Sequence, residues 1–371
     1  MEPVLLISGT RPEIVKLAPV YHAMRADPAT RVQWLHTGQH GEMAQQILKC
    51  FEIEPDIALS RTGTTLSEFS IGCRQQLEAV FTQRQYSVAI VQGDTESAFQ
   101  GALSAFYNHV PVAHVEAGLR TYNLERPFPE EALRQMIGRL TRFHFAPTPR
   151  ARRALLDENI PAQDIYVTGN TVVDAQQWSC RNKHIRRRVE GRGHLLVTVH
   201  RRENWGHDVE AICHAIADIA GAHPDLQVVF PVHPNPIVHN TVHAILEPCP
   251  NVRLIAPLDY LAMQQMLTDA WLVLTDSGGL QEEAPTFGVP LLVLREETER
   301  PEAVDAGCAT LIGTDRGRIV AEVERLWRDE RAYAQMQSAG SPFGDGTASQ
   351  RILSILQAHS AHAAAVAIPA A

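Results

Sequence analysis

Three carboxylates stand at or just beyond short apolar runs, where a folded chain could use them as proton carriers. Asp94 ends "VAIVQGD" (88–94), Glu116 lies near the end of "VPVAHVEAG" (110–118), and Glu130 falls in the "RPFPEE" that follows (126–131). Clustered carboxylates raise one another's pKa, which suits acid–base work near neutrality. Taken singly, each has a simpler use in ion pairs with Arg120, Arg126 and Arg134, and Glu125 and Glu131 are assigned that role. Taken together with a site for an anion, the three point to catalysis.

The anion site is suggested by two other stretches. In "SGTRPEIVKLAPV" (8–20) Gly9 permits a sharp strand-to-helix turn and Pro12 suits a first helical turn, so Arg11 and Lys16 come near a helix N-terminus. Two cations there oppose the macrodipole unless an anion lies close. In "TDSGGLQEEAP" (275–285) Ser277, Gly278 and Gly279 are expected to present backbone N–H groups to a phosphate, with Glu282 and Glu283 in the first helical turn. Glu282 and Glu283 there either complement the dipole or accept bonds from sugar hydroxyls. "VTVHRRENWG" (197–206) sets His200 at a strand end beside Arg201 and Arg202, as a general acid/base or phosphate donor, and Arg300 follows another strand.

These residues need a scaffold that brings strand ends together. Twelve short β-branched apolar runs alternate with longer helical patterns, six on each side of a break at 171–193. Continuous apolar runs imply strands covered on both faces, hence parallel sheets with crossover helices. The expected fold is α/β: two Rossmann-like doubly wound domains facing across a cleft. The expected bounds are 1–170, a linker region over 171–193 that carries the basic run "RNKHIRRR", 194–345, and a helix over 346–371 that returns to the first domain before a frayed Ala-rich tail. Gly9, Gln39, His40, Asp94, Glu116, His200, Glu203, His233 and Asp276 all follow strand ends, the edge at which open α/β sheets bind ligands.

Bulk properties exclude several classes. The chain has 371 residues, a net charge of −9 and a pI of about 6.0, which argues against a general nucleic-acid surface. No apolar run reaches the roughly 18 residues of a membrane helix. The six scattered cysteines form no C-x-x-C pair and read as reduced thiols of a cytoplasmic protein. Neither G-x-G-x-x-G nor G-x-x-x-x-G-K-[ST] occurs, so no nicotinamide cofactor or nucleotide triphosphatase is expected. The histidine spacings give no metal site, and no cofactor is expected at all.

The motifs "GTRPEIVKLAP", "TGQH", "QGDT", "HVEAGLRT", "PEE", "TGNTVVDA", "HRREN", "DSGGLQEEAP" and "TERPEAV" occur in order from Gly9 onward. In this the chain resembles the bacterial non-hydrolysing UDP-N-acetylglucosamine 2-epimerases. The resemblance implies a glycosyltransferase B-type fold and a cytoplasmic homodimer without cofactor. It implies inversion at carbon 2 of UDP-N-acetylglucosamine, to UDP-N-acetylmannosamine for surface polysaccharides, by elimination of UDP to 2-acetamidoglucal and re-addition. By the same resemblance Asp94, Glu116 and Glu130 correspond to acid/base carboxylates and His200 to an essential histidine. Arg11, Lys16, Ser277, Gly278, Gly279, Glu283 and Arg300 correspond to nucleotide-binding positions. Gln39, His40, Arg201 and His233 resemble a regulatory substrate site, although Gly41 replaces the family's common arginine. A 2-epimerase of a diacetamido-uronic acid sugar nucleotide, a glycosyltransferase of the same fold and a non-catalytic sugar-nucleotide sensor stay open as alternatives.

Overall fold

The computed structural model describes residues 2–201 and 206–366, with backbone alone from residue 360 onward. Arg202 and Glu203 lie outside the described residues. Among the described residues thirteen strands occur in the order β1 (Val4–Ser8), β2 (Val32–His36), β3 (Ile57–Ala58), β4 (Val88–Gln92), β5 (Val112–Val115), β6 (Phe143–Ala146), β7 (Ile165–Val167), β8 (His194–Thr198), β9 (Val228–Pro231), β10 (Val252–Ile255), β11 (Ala270–Thr275), β12 (Leu291–Val293) and β13 (Ala309–Leu311). The helices between them are α1 (Arg11–Ala26), α2 (Glu42–Cys50), α3 (Leu66–Gln83), α4 (Glu96–Tyr107), α5 (Glu130–Leu140), α6 (Pro149–Asp157), α7 (Thr171–Asn182), α8 (His207–Ala222), α9 (Pro236–Leu246), α10 (Tyr260–Asp269), α11 (Gly278–Glu283), α12 (Pro301–Asp305), α13 (Arg316–Arg328), α14 (Glu330–Ser338) and α15 (Ala348–Val366).

The chain divides into two units, Met1–Ala175 with Phe343–Ala371, and Gln176–Pro342. The division falls inside α7, so the stretch expected as a linker is helical over its first 12 residues. All strand pairs are parallel. The first sheet runs β3-β2-β1-β4-β5-β6-β7 and the second β10-β9-β8-β11-β12-β13. Each sheet reverses its winding once, between β1 and β4 in the first and between β8 and β11 in the second. In open α/β sheets such a reversal opens a crevice at the strands' carboxyl ends.

The cores explain why these runs become strands. Every residue of β1, β4, β8 and β11 is buried, as a sheet covered on both faces requires. In the first unit Leu5, Ile7, Ala89 and Val91 pack with Phe69, Leu77 and Phe81 of α3 and Ala98, Ala102 and Ala105 of α4. On α1 the expected stripe of Ile14, Leu17, Tyr21 and Met24 is at most 5% exposed. Each such side chain contributes on the order of 1.5–3 kcal/mol when fully buried. The second unit repeats the scheme with Val197, Leu272, Leu274, Ile212, Ile216, Val238 and Val323. α15 is tied into the first unit by Asp174, which accepts from the backbone N–H of Ser349 at 2.8 Å, and by Arg351 Nη1, which donates to the Thr168 carbonyl at 2.9 Å.

Candidate active site

In the first unit β1 and β4 flank the reversal, and β5 follows β4 in register, with Gln92 beside Val115. That register puts Asp94 and Glu116 past the same end of neighbouring strands. Glu116 is 9% exposed and adopts φ +66°, the left-handed region that a side chain enters at a cost of about 1–3 kcal/mol. Its Oε2 forms an ion pair with Lys16 Nζ and accepts a bond from Gln92 Nε2 at 2.6 Å. Lys16, expected to face a phosphate, is paired here with that carboxylate. Asp94 pairs with Arg134 Nη2, and Arg134 also reaches Glu131 Oε2 at 3.3 Å. Glu130 opens α5 half-buried.

Glu131 explains the run of carboxylates at the strand mouth. It is fully buried and accepts from the backbone N–H of Thr121 at 3.0 Å, that of Tyr122 at 3.1 Å, and Gln135 Nε2 at 2.8 Å. Burial alone raises its pKa, but these bonds and the Arg134 charge outweigh burial and hold the carboxyl below its ordinary value. Arg120 forks onto Glu158 at 2.6 and 3.0 Å. The 119–131 segment is therefore braced by Glu131 and Arg120, as the ion-pair assignment of Glu131 expects.

The turn after β1 is held by Glu13, to which the sequence alone assigns no role. Glu13 is 0% exposed and its Oε2 accepts from the backbone N–H of Gly9 at 3.0 Å and Thr10 at 2.6 Å. Its Oε1 accepts from Thr95 Oγ1 at 2.8 Å. Burial pushes its pKa up to about 7 despite these bonds. The signal for it was legible, since Thr10 followed three residues later by Glu13 is a capping-box pattern. Gln39 Oε1 accepts from Ser97 N at 3.1 Å and Ser97 Oγ at 2.6 Å, and His40 N–H donates to the Gly9 carbonyl at 2.8 Å. A Cβ on Gly9 would lie 1.9 Å from Ser97 Oγ, so only glycine fits this turn. Burial and the Arg61 and Arg11 charges lower the His40 pKa.

In the second unit the reversal is flanked by β8 and β11, and the residues after them meet. His200 Nδ1 lies 2.8 Å from Asp276 Oδ1, and Asp276 is fully buried. Asp276 also accepts from the backbone N–H of His200 at 3.1 Å and of Arg201 at 2.9 Å. Burial would raise the Asp276 carboxyl, yet the His200 ring and these bonds hold it below its usual value. The His200 side chain is 46% exposed, a placement that leaves the ring accessible beyond its carboxylate. Asp276, legible in the sequence only as a residue at a strand end, is thus the partner of His200.

Around Gly278 the cations converge. A Cβ there would sit 3.6 Å from Arg201 Nη2 and 3.7 Å from Arg300 Cζ. Arg300 Nε donates to Glu282 at 2.8 Å and its Nη1 to Glu299 at 2.9 Å, while Arg201 and Arg295 each approach Glu299 at 3.8 Å. Ser277 caps α11. Glu282 and Glu283 close that six-residue helix rather than opening it, so neither complements its N-terminal dipole. Glu283 Oε2 instead accepts from Gln264 Nε2 at 2.5 Å, and Gln264 is held by Gln176 at 3.0 Å. His233 Nδ1 accepts from Asn235 N–H at 3.2 Å, and Arg11 is exposed at the start of α1. Among the described residues no group of three or more His, Cys, Asp or Glu could hold a metal ion, and no helix is long and apolar enough to cross a membrane.

Two doubly wound parallel-sheet units, each with its polar residues at a winding reversal, define the glycosyltransferase B-type class. The UDP-N-acetylglucosamine 2-epimerase family model matches residues 22–357. The chain is 46% identical to the UDP-N-acetylglucosamine 2-epimerase of Escherichia coli (strain K12), covering 95% of this chain and 98% of that one. The crystal structure of UDP-GlcNAc 2-epimerase from Neisseria meningitidis bound to UDP-GlcNAc superposes with a TM-score of 0.88 at 38% identity, covering 96% of this chain and 99% of that one. An S. aureus MnaA–UDP co-structure gives 0.85 at 40% identity, covering 97% of each chain. The chain belongs to the UDP-N-acetylglucosamine 2-epimerase family.

Proposed function

We propose that the protein interconverts UDP-N-acetylglucosamine and UDP-N-acetylmannosamine without hydrolysing either. Carbon 2 of an acetamido sugar carries a hydrogen that no carbonyl acidifies. Eliminating UDP across carbons 1 and 2 solves this: a carboxylate takes the proton from carbon 2 while the bond from carbon 1 to the diphosphate oxygen breaks, giving 2-acetamidoglucal and UDP. A proton returned to the other face of carbon 2 and re-addition of UDP to carbon 1 complete the inversion. The route needs proton carriers and a pocket that stabilises the departing diphosphate.

The observation that carries this reading is Glu116, a carboxylate kept in a left-handed backbone conformation and held by Lys16 and Gln92. Strained backbone at a strand end is a feature of functional sites. In this reading Glu116, Asp94 and Glu130 exchange the proton. His200, oriented by Asp276, and the guanidiniums of Arg201 and Arg300 beside Gly278 hold the diphosphate. Arg11, Ser277, Gly279 and Glu283 bind the nucleotide, and Gln39, His40 and His233 serve a second, regulatory substrate molecule. The same reading takes the enzyme to work as a cytoplasmic homodimer that supplies surface polysaccharide synthesis.

The test is an assay with UDP-N-acetylglucosamine alone. An equilibrium mixture of both UDP-sugars, without free N-acetylmannosamine, is expected. Turnover only with an added acceptor, or only on a diacetamido-uronic acid sugar nucleotide, would replace this reading with one of its alternatives.

A further inference from the structure

The Glu13 carboxylate has no part in the proton transfer proposed above, yet the fold buries it completely at the winding reversal of the first sheet. An ordinary capping glutamate on a helix surface would serve the Thr10 N–H just as well, at no desolvation cost. What burial adds here is the second oxygen. Oε2 takes the N–H groups of Gly9 and Thr10, which form the turn leading to Arg11 and Lys16, while Oε1 takes the hydroxyl of Thr95, 82 residues away and adjacent to Asp94. Thr95 in turn caps α4 by accepting from Ala98 N–H at 3.1 Å. One carboxylate thus spans the two strand ends that bound the crevice.

We propose that Glu13 is a positioning residue, which through Thr95 fixes the turn carrying Asp94 against the turn from which Lys16 reaches Glu116. The proposal rests on the epimerase reading above. A carboxylate that only stabilised the fold would be replaceable at the cost of stability alone. One that sets the spacing of the proton carriers changes turnover by itself, because small displacements of a catalytic group are costly in rate. The glutamine replacement is a natural control. Its amide oxygen can accept from Gly9 and Thr10, and its NH2 can donate to Thr95 Oγ1, so the tie is kept without the charge.

The experiment compares Glu13→Ala, Glu13→Gln, Thr95→Ala and the double variant Glu13→Ala/Thr95→Ala, reading kcat and KM for UDP-N-acetylglucosamine at a temperature where all stay folded, and amide exchange at Gly9 and Thr10. Glu13→Ala is expected to lower kcat at least tenfold with KM changed less than threefold. Glu13→Gln is expected to recover most of that loss, and the double variant to lose no more than Glu13→Ala alone. Unchanged kcat in Glu13→Ala, or multiplicative losses in the double variant, would overturn the proposal. A wild-type protein with no turnover on this substrate would sink the epimerase reading instead. The tie would then be judged by exchange alone: faster exchange at Gly9 and Thr10 in Thr95→Ala supports it, and unaltered exchange refutes it.

Discussion

Lys16 and Glu116 form an ion pair 100 residues apart in sequence, with side chains only 10% and 6% exposed. Lys16 leaves the second turn of α1 and Glu116 directly follows β5, so the pair bridges two strands of the first sheet across β4. Removing one partner takes this counter-ion from the other's buried charge, whereas removing both removes the two charges together.

Lys16→Met is accordingly expected to destabilise the protein by up to about 3–5 kcal/mol, and Lys16→Met/Glu116→Gln to recover most of that loss, as read by urea unfolding. Glu116→Gln alone is expected to lower turnover by roughly 10²–10⁴-fold while UDP affinity holds within a few-fold by calorimetry. A Glu116→Gln enzyme with wild-type turnover contradicts its assignment as a proton carrier.

Asp276 supports His200 from a fully buried position. Asp276→Asn keeps the shape but weakens the acceptor that orients the ring, so turnover is expected to fall by about 10²-fold or more, close to the loss in His200→Asn. The two losses should not multiply in the double variant, since both remove one unit. Multiplying losses in steady-state kinetics would separate the two residues.

Glu13 makes stability depend on pH in a definite direction. Its pKa rises from 4.5 unfolded to about 7 folded, so between these values the folded state binds the extra proton. Its favourable contribution is present below pH 4.5 and is lost as pH rises through 7. Relative to Glu13→Gln, the wild type should lose on the order of 3 kcal/mol across that window, seen as a falling difference in urea midpoints. A difference that stays flat with pH contradicts burial of the ionisable group.

His114 acts with the opposite sign. Burial, partly offset by its bond to the Gly93 carbonyl at 2.7 Å, lowers its pKa from 6.5 to about 3. It is folded as the neutral ring, and the stability this gives is present above pH 6.5 and lost as pH falls towards 3. His114→Gln, which can still donate to Gly93, is expected to unfold at lower pH than the wild type in an acid titration followed by circular dichroism. An unchanged acid midpoint would rule His114 out as a source of acid lability.

Twelve of the strands were legible because continuous apolar runs specify strands buried on both faces. The two-residue β3, Ile57–Ala58, was not, because so short an edge has no period to read. The carboxyl-edge placement of Asp94, Glu116, His200 and Ser277 was also legible, since each follows such a run directly. Roles that depend on long-range partners were not. Nothing local in "RPEIVK" says that Lys16 reaches Glu116 or that Glu13 reaches Thr95, and the depth at which Asp276 sits below His200 depends on the pairing of β8 with β11. The first-turn placement of Glu282 and Glu283 does not hold because α11 already starts at Gly278, four residues before Glu282.

The central claim is that the hydrogen on carbon 2 is removed and replaced from solvent while UDP is detached. Incubating UDP-N-acetylglucosamine with the protein in deuterated water and following carbon 2 by NMR measures this directly. The account predicts complete deuteration at carbon 2 of both UDP-sugars as they equilibrate, with Glu116→Gln slowing exchange and epimerisation alike. Epimerisation that retains the original hydrogen, or no exchange at all, would contradict it.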